Sequence, residues 1–234
     1  MIALIPLPGL PEIAPGTVLA PLVVEAARAA GHPLADGDCV VVTQKIVSKA
    51  EGRLMRVDPA DMDARRRLIE SESARILRRR GDLIISETRH GLVCANAGVD
   101  FSNVDANQAA LLPLDPDRSA RRIRQGIRTA AGVEVAVVVS DTFGRPWRNG
   151  LVDVAIGVAG LVAVVDLRGT PDDRGRPLTV TEVAVADEVA AAAELVMGKA
   201  RSVPAAVVRG LERSWLGEGG AADLIRRPSE DLFR

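Results

Sequence analysis

An α+β fold, with short buried strands and helices between them, follows from three features of the 234-residue sequence. Valine-rich runs without polar alternation, such as "DCVVVT" at 38–43 and "VEVAVVV" at 133–139, read as strands covered on both faces. Helical apolar periodicity occupies 18–30, 61–79, 117–131 and 184–198. Two strand-like runs, 152–158 and 161–166, follow each other with no helix between, which argues against a regular doubly wound parallel sheet.

The elements run as follows. A strand at 2–5 ("IALI") leads to the helix at 18–30 and the strand at 38–43. The segment 61–79 reads as one solvated surface helix, with Leu68, Ile69, Ile76 and Leu77 on one side and its end at Gly81. Strands follow at 83–86 and 92–98, then the helix at 117–131 and the strands at 133–139, 152–158 and 161–166. The Gly-, Pro- and Asp-rich "GTPDDRGRPL" at 169–178 reads as a surface hairpin or flap. A strand at 178–182, an Ala-rich helix at 184–198 and a strand at 204–208 complete the pattern. No internal repeat or long linker divides the chain, so one domain, or two interdependent subdomains, is expected over 1–234.

Composition excludes several classes. Lys plus Arg number 30 against 31 Asp plus Glu, so no global field draws the protein to nucleic acid or an anionic membrane. The opening "MIALIPLPG" lacks a basic start and is broken by Pro6 and Pro8, which fits neither a signal peptide nor a membrane span. Cys39 and Cys94 lie in apolar runs without ligand spacing, so reduced, buried thiols and a cytoplasmic location are expected.

The chemistry concentrates in "VVVSDTFGRPWRNG" at 137–150. Asp141 follows a buried strand, where a carboxylate loses several kcal/mol of hydration unless a cation or good donors meet it. Two partners suit it equally: an ion pair with Arg145 or Arg148, or a divalent metal for which Asp141 and Thr142 are hard oxygen ligands. A second oxygen-rich loop, "AGVDFSNVDANQ" at 97–108, holds Asp100, Asn103 and Asp105. If both loops leave one end of a sheet, two acids about 4 Å apart repel by about 4 kcal/mol and call for a metal or a shared proton. The plainer alternative is an Asx turn. "TQKIVSKAEGR" at 43–53 supplies Lys45, Lys49 and Arg53 near a strand end, where lysines neutralise phosphates or simply face water. Neither a Walker A loop nor GxGxxG occurs in the sequence, so a nucleotide would be held without a P-loop. Asp187 and Glu188 read as first-turn acids of the last long helix, and His32 and His90 have no companion ligands.

Together these stretches resemble one family, the coenzyme F420-0:L-glutamate ligases (the CofE family), which includes the amino-terminal domain of a two-domain mycobacterial enzyme. The matching pieces are "PLPGLPEIAPG" (6–16), "DGDCVVVTQKIVSKAEGR" (36–53), "GLVCANAGVDFSNV" (91–104), "SDTFGRPWRNG" (140–150), "VTEVAVADEVAAAAELVMGKA" (180–200) and the closing "DLFR". The resemblance implies a CofE-like mixed fold, an intertwined homodimer, and GTP-dependent addition of L-glutamate to coenzyme F420-0, then of a γ-linked glutamate. It implies Mg or Mn and potassium. With no carboxy-terminal reductase domain in this length of chain, no FMN is expected. It further implies that Leu10, Pro11, Glu12 and Ile13, with Gln44, Lys49 and Asn103, line the guanine nucleotide site. Asp100 and Asp141 would hold one metal and Thr142 a second, with Arg145 and Arg148 steadying phosphates or the acidic substrate. Two departures stand out: Gln44 where many members have Ser, and Leu151–Val152 where Gln-Thr is common. A metal-dependent phosphohydrolase, a ligase of another acid, or a nucleotide-binding protein without turnover would use the same loops.

Overall fold

The computed structural model describes residues 1–58 and 60–232; Pro59 and the last two residues of "DLFR" lie outside the described residues. In chain order the elements are β1 (Ala3–Pro6), α1 (Leu19–Ala29), β2 (Cys39–Thr43), α2 (Gln44–Ala50), β3 (Leu54–Arg56), α3 (Met62–Glu72), β4 (Ser73–Arg80), β5 (Leu83–Thr88), β6 (Val93–Ala95), β7 (Gln108–Ala110), α4 (Pro116–Ala131), β8 (Ala136–Arg145), β9 (Arg148–Ala159), β10 (Val165–Asp166), β11 (Glu182–Val183), α5 (Val185–Met197) and β12 (Ala205–Arg209). The mixture of helix and sheet agrees with the α+β expectation.

The central sheet has the order β1-β12-β2-β8-β9, in which only β2 and β8 run parallel. Its strands are apolar on both sides because both sides are covered. Val40, Val42, Val137, Val139 and Val207 pack into one cluster with α1 and α4, whereas Cys39, Val41, Val138 and Val208 pack into another with α5. A third cluster, built from Val57, Ile69, Ile84, Ala97, Val99, Ala109 and Leu111, lies under β3, β7, α3 and the β4-β5-β6 sheet.

Helix ends follow local chemistry. Asp115 caps α4 by accepting the Arg118 amide at 2.8 Å, Pro116 occupies the first turn, and Gly132 closes the helix at φ +72°. Asp61 caps α3 in the same way through the Ala64 amide. Asp187 and Glu188 lie in the first turn of α5 as expected but do not cap it: Asp187 accepts the Ala155 amide of β9 at 2.8 Å, and α5 has no side-chain N-cap. Asp117 of α4 accepts the Val158 amide at 2.7 Å. Because β9 is the sheet's edge, these two helical carboxylates satisfy amide groups that no neighbouring strand reaches.

Two expectations need correction. The helix expected over 61–79 ends at Glu72, and β4 begins at Ser73. The Ser73 hydroxyl donates to the Ile69 carbonyl, which helps close the helix, and β5 offers the arginine-rich run an antiparallel partner. The strands expected at 161–166 and 178–182 shrink to Val165–Asp166 and Glu182–Val183, which pair with each other, whereas β9 pairs with β8. "GTPDDRGRPL" folds back on itself through a Pro171–Pro177 bridge, as expected of a hairpin.

Cys39 and Cys94 are free and buried. Burial raises both thiols, Cys94 to about 12. Among the described residues, no helix is long and apolar enough to cross a membrane.

Gly157 of β9 lies so close to the first turn of α4 that an added Cβ would sit 2.4 Å from the Pro116 carbonyl oxygen. Gly157→Ala is therefore expected to lower stability by about 1–3 kcal/mol or more in urea unfolding. Gly144→Ala, with nothing within 4 Å of the new Cβ and no positive φ, should change it little.

Candidate active site

The parallel pair fixes the site. β2 ends at Thr43, opposite Ser140 of β8, and the chain turns at once into α2 while β8 continues through Asp141 and Thr142. Asp141 thus lies inside a strand rather than after one. The hairpin formed by β8 and β9 extends it to Arg145 and returns at Arg148. A register shift between Val139 and Ser140 marks a bulge, beyond which Asp153 of β9 faces Thr142.

Asp153 is 2% exposed. The Ser140 hydroxyl donates to its Oδ2 at 2.9 Å, and the Thr142 hydroxyl donates to its Oδ1. The Lys199 ammonium stands 3.5 Å from Oδ1. On the opposite side, Lys45 Nζ lies 2.9 Å from Asp100 Oδ2 and donates to the Ser102 hydroxyl at 2.8 Å. The Ser102 amide donates to Asp100 Oδ1 at 2.7 Å, so the Asx turn is present. Burial opposes ionisation of Asp100, but Lys45 and Ser102 hold its carboxyl below the ordinary value.

Asp141 lies between these pairs and has no salt bridge to a described cation. Its Oδ1 accepts the Thr142 amide at 2.8 Å. Burial, with Asp100 and Asp153 facing it, pushes its carboxyl up to about 7 against the pull of that amide and of Lys199. The expected alternative of an ion pair with Arg145 or Arg148 is not formed. Arg145 donates to the Asn149 carbonyl at the hairpin tip, and Arg148, opposite it, is exposed.

A cavity of about 900 Å³ joins these groups. Its walls include Leu10, Pro11, Glu12, Ile13, Gln44, Lys49, Asp100, Asn103, Asp141 and Thr142, ten residues singled out from sequence, drawn from four separate stretches of chain. Arg145, Arg148, Leu151 and Val152 are not among its lining residues. Asp153, Glu194 and Lys199 are, and sequence reading missed all three. The signal for Asp153 was its place in an apolar strand run, "LVDVAIG", where a lone acid requires partners.

Lys49 is 13% exposed and pairs with Glu12, whose side chain is 82% exposed. Gln44 is buried; its amide nitrogen donates to the Ser48 hydroxyl at 2.7 Å and to the Leu111 carbonyl at 3.1 Å, tying α2 to the segment after β7. Among the described residues, no three His, Cys, Asp or Glu side chains close into a metal-ligand cluster.

A second cavity, of about 510 Å³, lies between α1 and α4 and shares no residue with this one. Its lining is apolar apart from Thr17, Glu51, Asp115, Arg118, Ser119 and Arg122. The larger cavity carries the convergent charges.

Acids and lysines converge at the ends of a parallel strand pair, around a large cleft, in this α+β protein. The chain belongs to the F420-0:gamma-glutamyl ligase family, whose description matches residues 9–210. It is 46% identical to the coenzyme F420:L-glutamate ligase of Methanothermobacter thermautotrophicus, over 100% of this chain and 99% of that one. It is 42% identical to the protein of the same name from Methanopyrus kandleri, over 98% and 96%. For that of Methanocaldococcus jannaschii the identity is 40%, over 88% of each chain.

A carboxyl raised in the fold stabilises it while protonated and loses that contribution as pH climbs from the ordinary aspartate value through about 7. In EDTA, wild-type stability should fall across this window by on the order of 1–3 kcal/mol on account of Asp141. Chemical denaturation from pH 4 to 8 should show that slope reduced in Asp141→Asn.

Proposed function

We propose that the chain is a GTP-dependent ligase that joins L-glutamate to coenzyme F420-0 in coenzyme F420 biosynthesis, then adds a γ-linked glutamate. Family membership and near full-length relatives named coenzyme F420:L-glutamate ligase support the acceptor and the amino acid. The observation that carries the reading is Asp141: a half-buried carboxylate facing two other acids, in the wall of a cleft, without a cationic side chain bound to it.

That donor set suits a hard divalent ion of the Mg or Mn type, which is commonly held by one or two carboxylates and completes its shell with substrate phosphates and water. Asp100 and Asp141 would hold it. When bound, it would neutralise charge on the phosphate tail during phosphoryl transfer. Potassium belongs to the same proposal, as does assembly into a homodimer.

This chain's own groups then act by position. Leu10, Pro11, Glu12 and Ile13, with Gln44 and Asn103, line the part of the cleft assigned to the guanine nucleotide. Lys49, nearly buried, is held by an exposed glutamate that an incoming phosphate can displace. Lys45 anchors Asp100 and keeps it ionised. The γ-phosphoryl group passes to the F420-0 carboxylate, giving an acyl phosphate and GDP. The glutamate amine attacks the acyl carbon, forming the amide as inorganic phosphate leaves and the amine loses a proton. No side-chain nucleophile is needed, because positioning and preorganised charge supply the rate. The half-buried Arg145 and the exposed Arg148 would reach phosphates or acidic substrate only from the hairpin tip, beyond the cleft of their own chain.

GDP release measured with each substrate omitted tests the reading. Sustained turnover should require both F420-0 and L-glutamate, and mass spectrometry should find the glutamylated product. GTP hydrolysis without them would indicate a phosphohydrolase, and nucleotide binding without turnover a regulatory protein. Asp141→Asn should lower turnover by roughly 10²-fold or more while the circular dichroism melt stays cooperative; near-normal activity would contradict the site.

A further inference from the structure

Ser140 and Thr142 stand two residues apart on β8, so their side chains share a face of the strand, and Asp153 of β9 lies directly across from Thr142. Both hydroxyls turn their protons onto that one carboxylate: Thr142 donates to Oδ1, and Ser140 donates to Oδ2 at 2.9 Å. A carboxylate only accepts, and a hydroxyl has one proton and two lone pairs. With its proton committed to Asp153, Thr142 offers the cleft nothing but a lone pair. Asp153 is 2% exposed and is held by the two hydroxyls and by the Lys199 ammonium, 3.5 Å from Oδ1. That ammonium offsets its charge, so what Asp153 adds at this wall of the cleft is chiefly direction.

We infer that Asp153 is a positioning residue: by taking the Thr142 proton it makes Thr142 an acceptor-only group, so that this wall of the cleft receives a cation and not a phosphate oxygen. This rests on the cation-bearing site proposed above. A free threonine hydroxyl donates to a phosphate oxygen as readily as it ligates a metal, and the bond to Asp153 removes the first choice. Hydrogen bonds behind a metal ligand fix the orientation of the coordinating atom and raise its basicity, and losing one commonly costs about 10–100-fold in metal affinity. Ser140, fully buried, acts one step further back: it holds the second carboxylate oxygen and keeps Asp153 from rotating away from Thr142. An asparagine in place of Asp153 keeps the shape but carries a donor, which can occupy the Thr142 oxygen and turn the hydroxyl proton outward.

Mn2+ titrated into the full chain, with the free ion followed by electron paramagnetic resonance, tests this. Wild type is expected to bind two Mn2+, one removed by Asp141→Asn and the other weakened roughly tenfold in Asp153→Asn and in Thr142→Val alike. The double variant Asp153→Asn/Thr142→Val should bind no more weakly than Thr142→Val alone, because Asp153 acts through that hydroxyl, and Thr142→Ser should keep most of the affinity. Asp153→Ala adds no donor and leaves the already exposed Lys199 in water; it should weaken the same ion, and it carries the test if the asparagine variant does not fold. Unchanged affinity in both Asp153 variants, a further loss in the double variant, or a single Mn2+ in wild type that Thr142→Val does not affect would overturn the positioning role and leave the Asp141 site standing. No Mn2+ bound to wild type would overturn that site, and this inference with it.

Discussion

A half-buried carboxylate at the end of a parallel strand pair governs this molecule. Asp141 stands between Asp100 and Asp153, each of which has its own lysine, while it has none. Three acids and two lysines leave one negative charge unmatched if all ionise. The fold accommodates that only by holding the middle acid near its titration point or by admitting a cation. The surrounding architecture keeps the three acids from separating.

That architecture is rigid where it has to be. β2 and β8 are covered on both faces and bring Thr43 and Ser140 level, so that the strand ends form a floor rather than a flexible loop. The bulge in the β8–β9 pair lets Asp153 reach both the Ser140 and the Thr142 hydroxyls. Asp187 and Asp117 pin β9 to α5 and α4, which fixes the far wall. Gln44, the buried first residue of α2, ties that helix to Leu111 and so connects the Lys45 and Lys49 side to the segment that precedes α4. At this position the glutamine acts as a structural tie, whatever else it contacts in the cleft.

Much of this could be read from the residues, and the failures have physical causes. Valine runs marked β2, β8 and β12 because double burial removes polar alternation. Asp115, Pro116 and Gly132 bounded α4 closely because caps are local chemistry. By contrast, β3 and β7 were invisible: three-residue strands depend on each other and on the cluster beneath them. Ile76 and Leu77 fall at helical spacing from Leu68 and Ile69, yet pairing with β5 outweighed that periodicity and turned the run into β4. Asp141 was singled out because an acid in an apolar run requires an explanation. Asp153 obeys the same logic, but its partners come from the neighbouring strand and from the end of α5, separations that no local pattern encodes. Arg145 and Arg148, four or more residues along an extended hairpin, were carried out of reach of Asp141 by the rise of the strand itself.

The most direct measurement is a crystal structure of the protein with GDP and Mn2+. A metal coordinated by both Asp100 and Asp141, with the diphosphate completing its shell and Lys199 still on Asp153, is the expected result. An Asp141 side chain turned away from the cleft, or neutralised by a guanidinium with no metal beside it, would contradict the central claim.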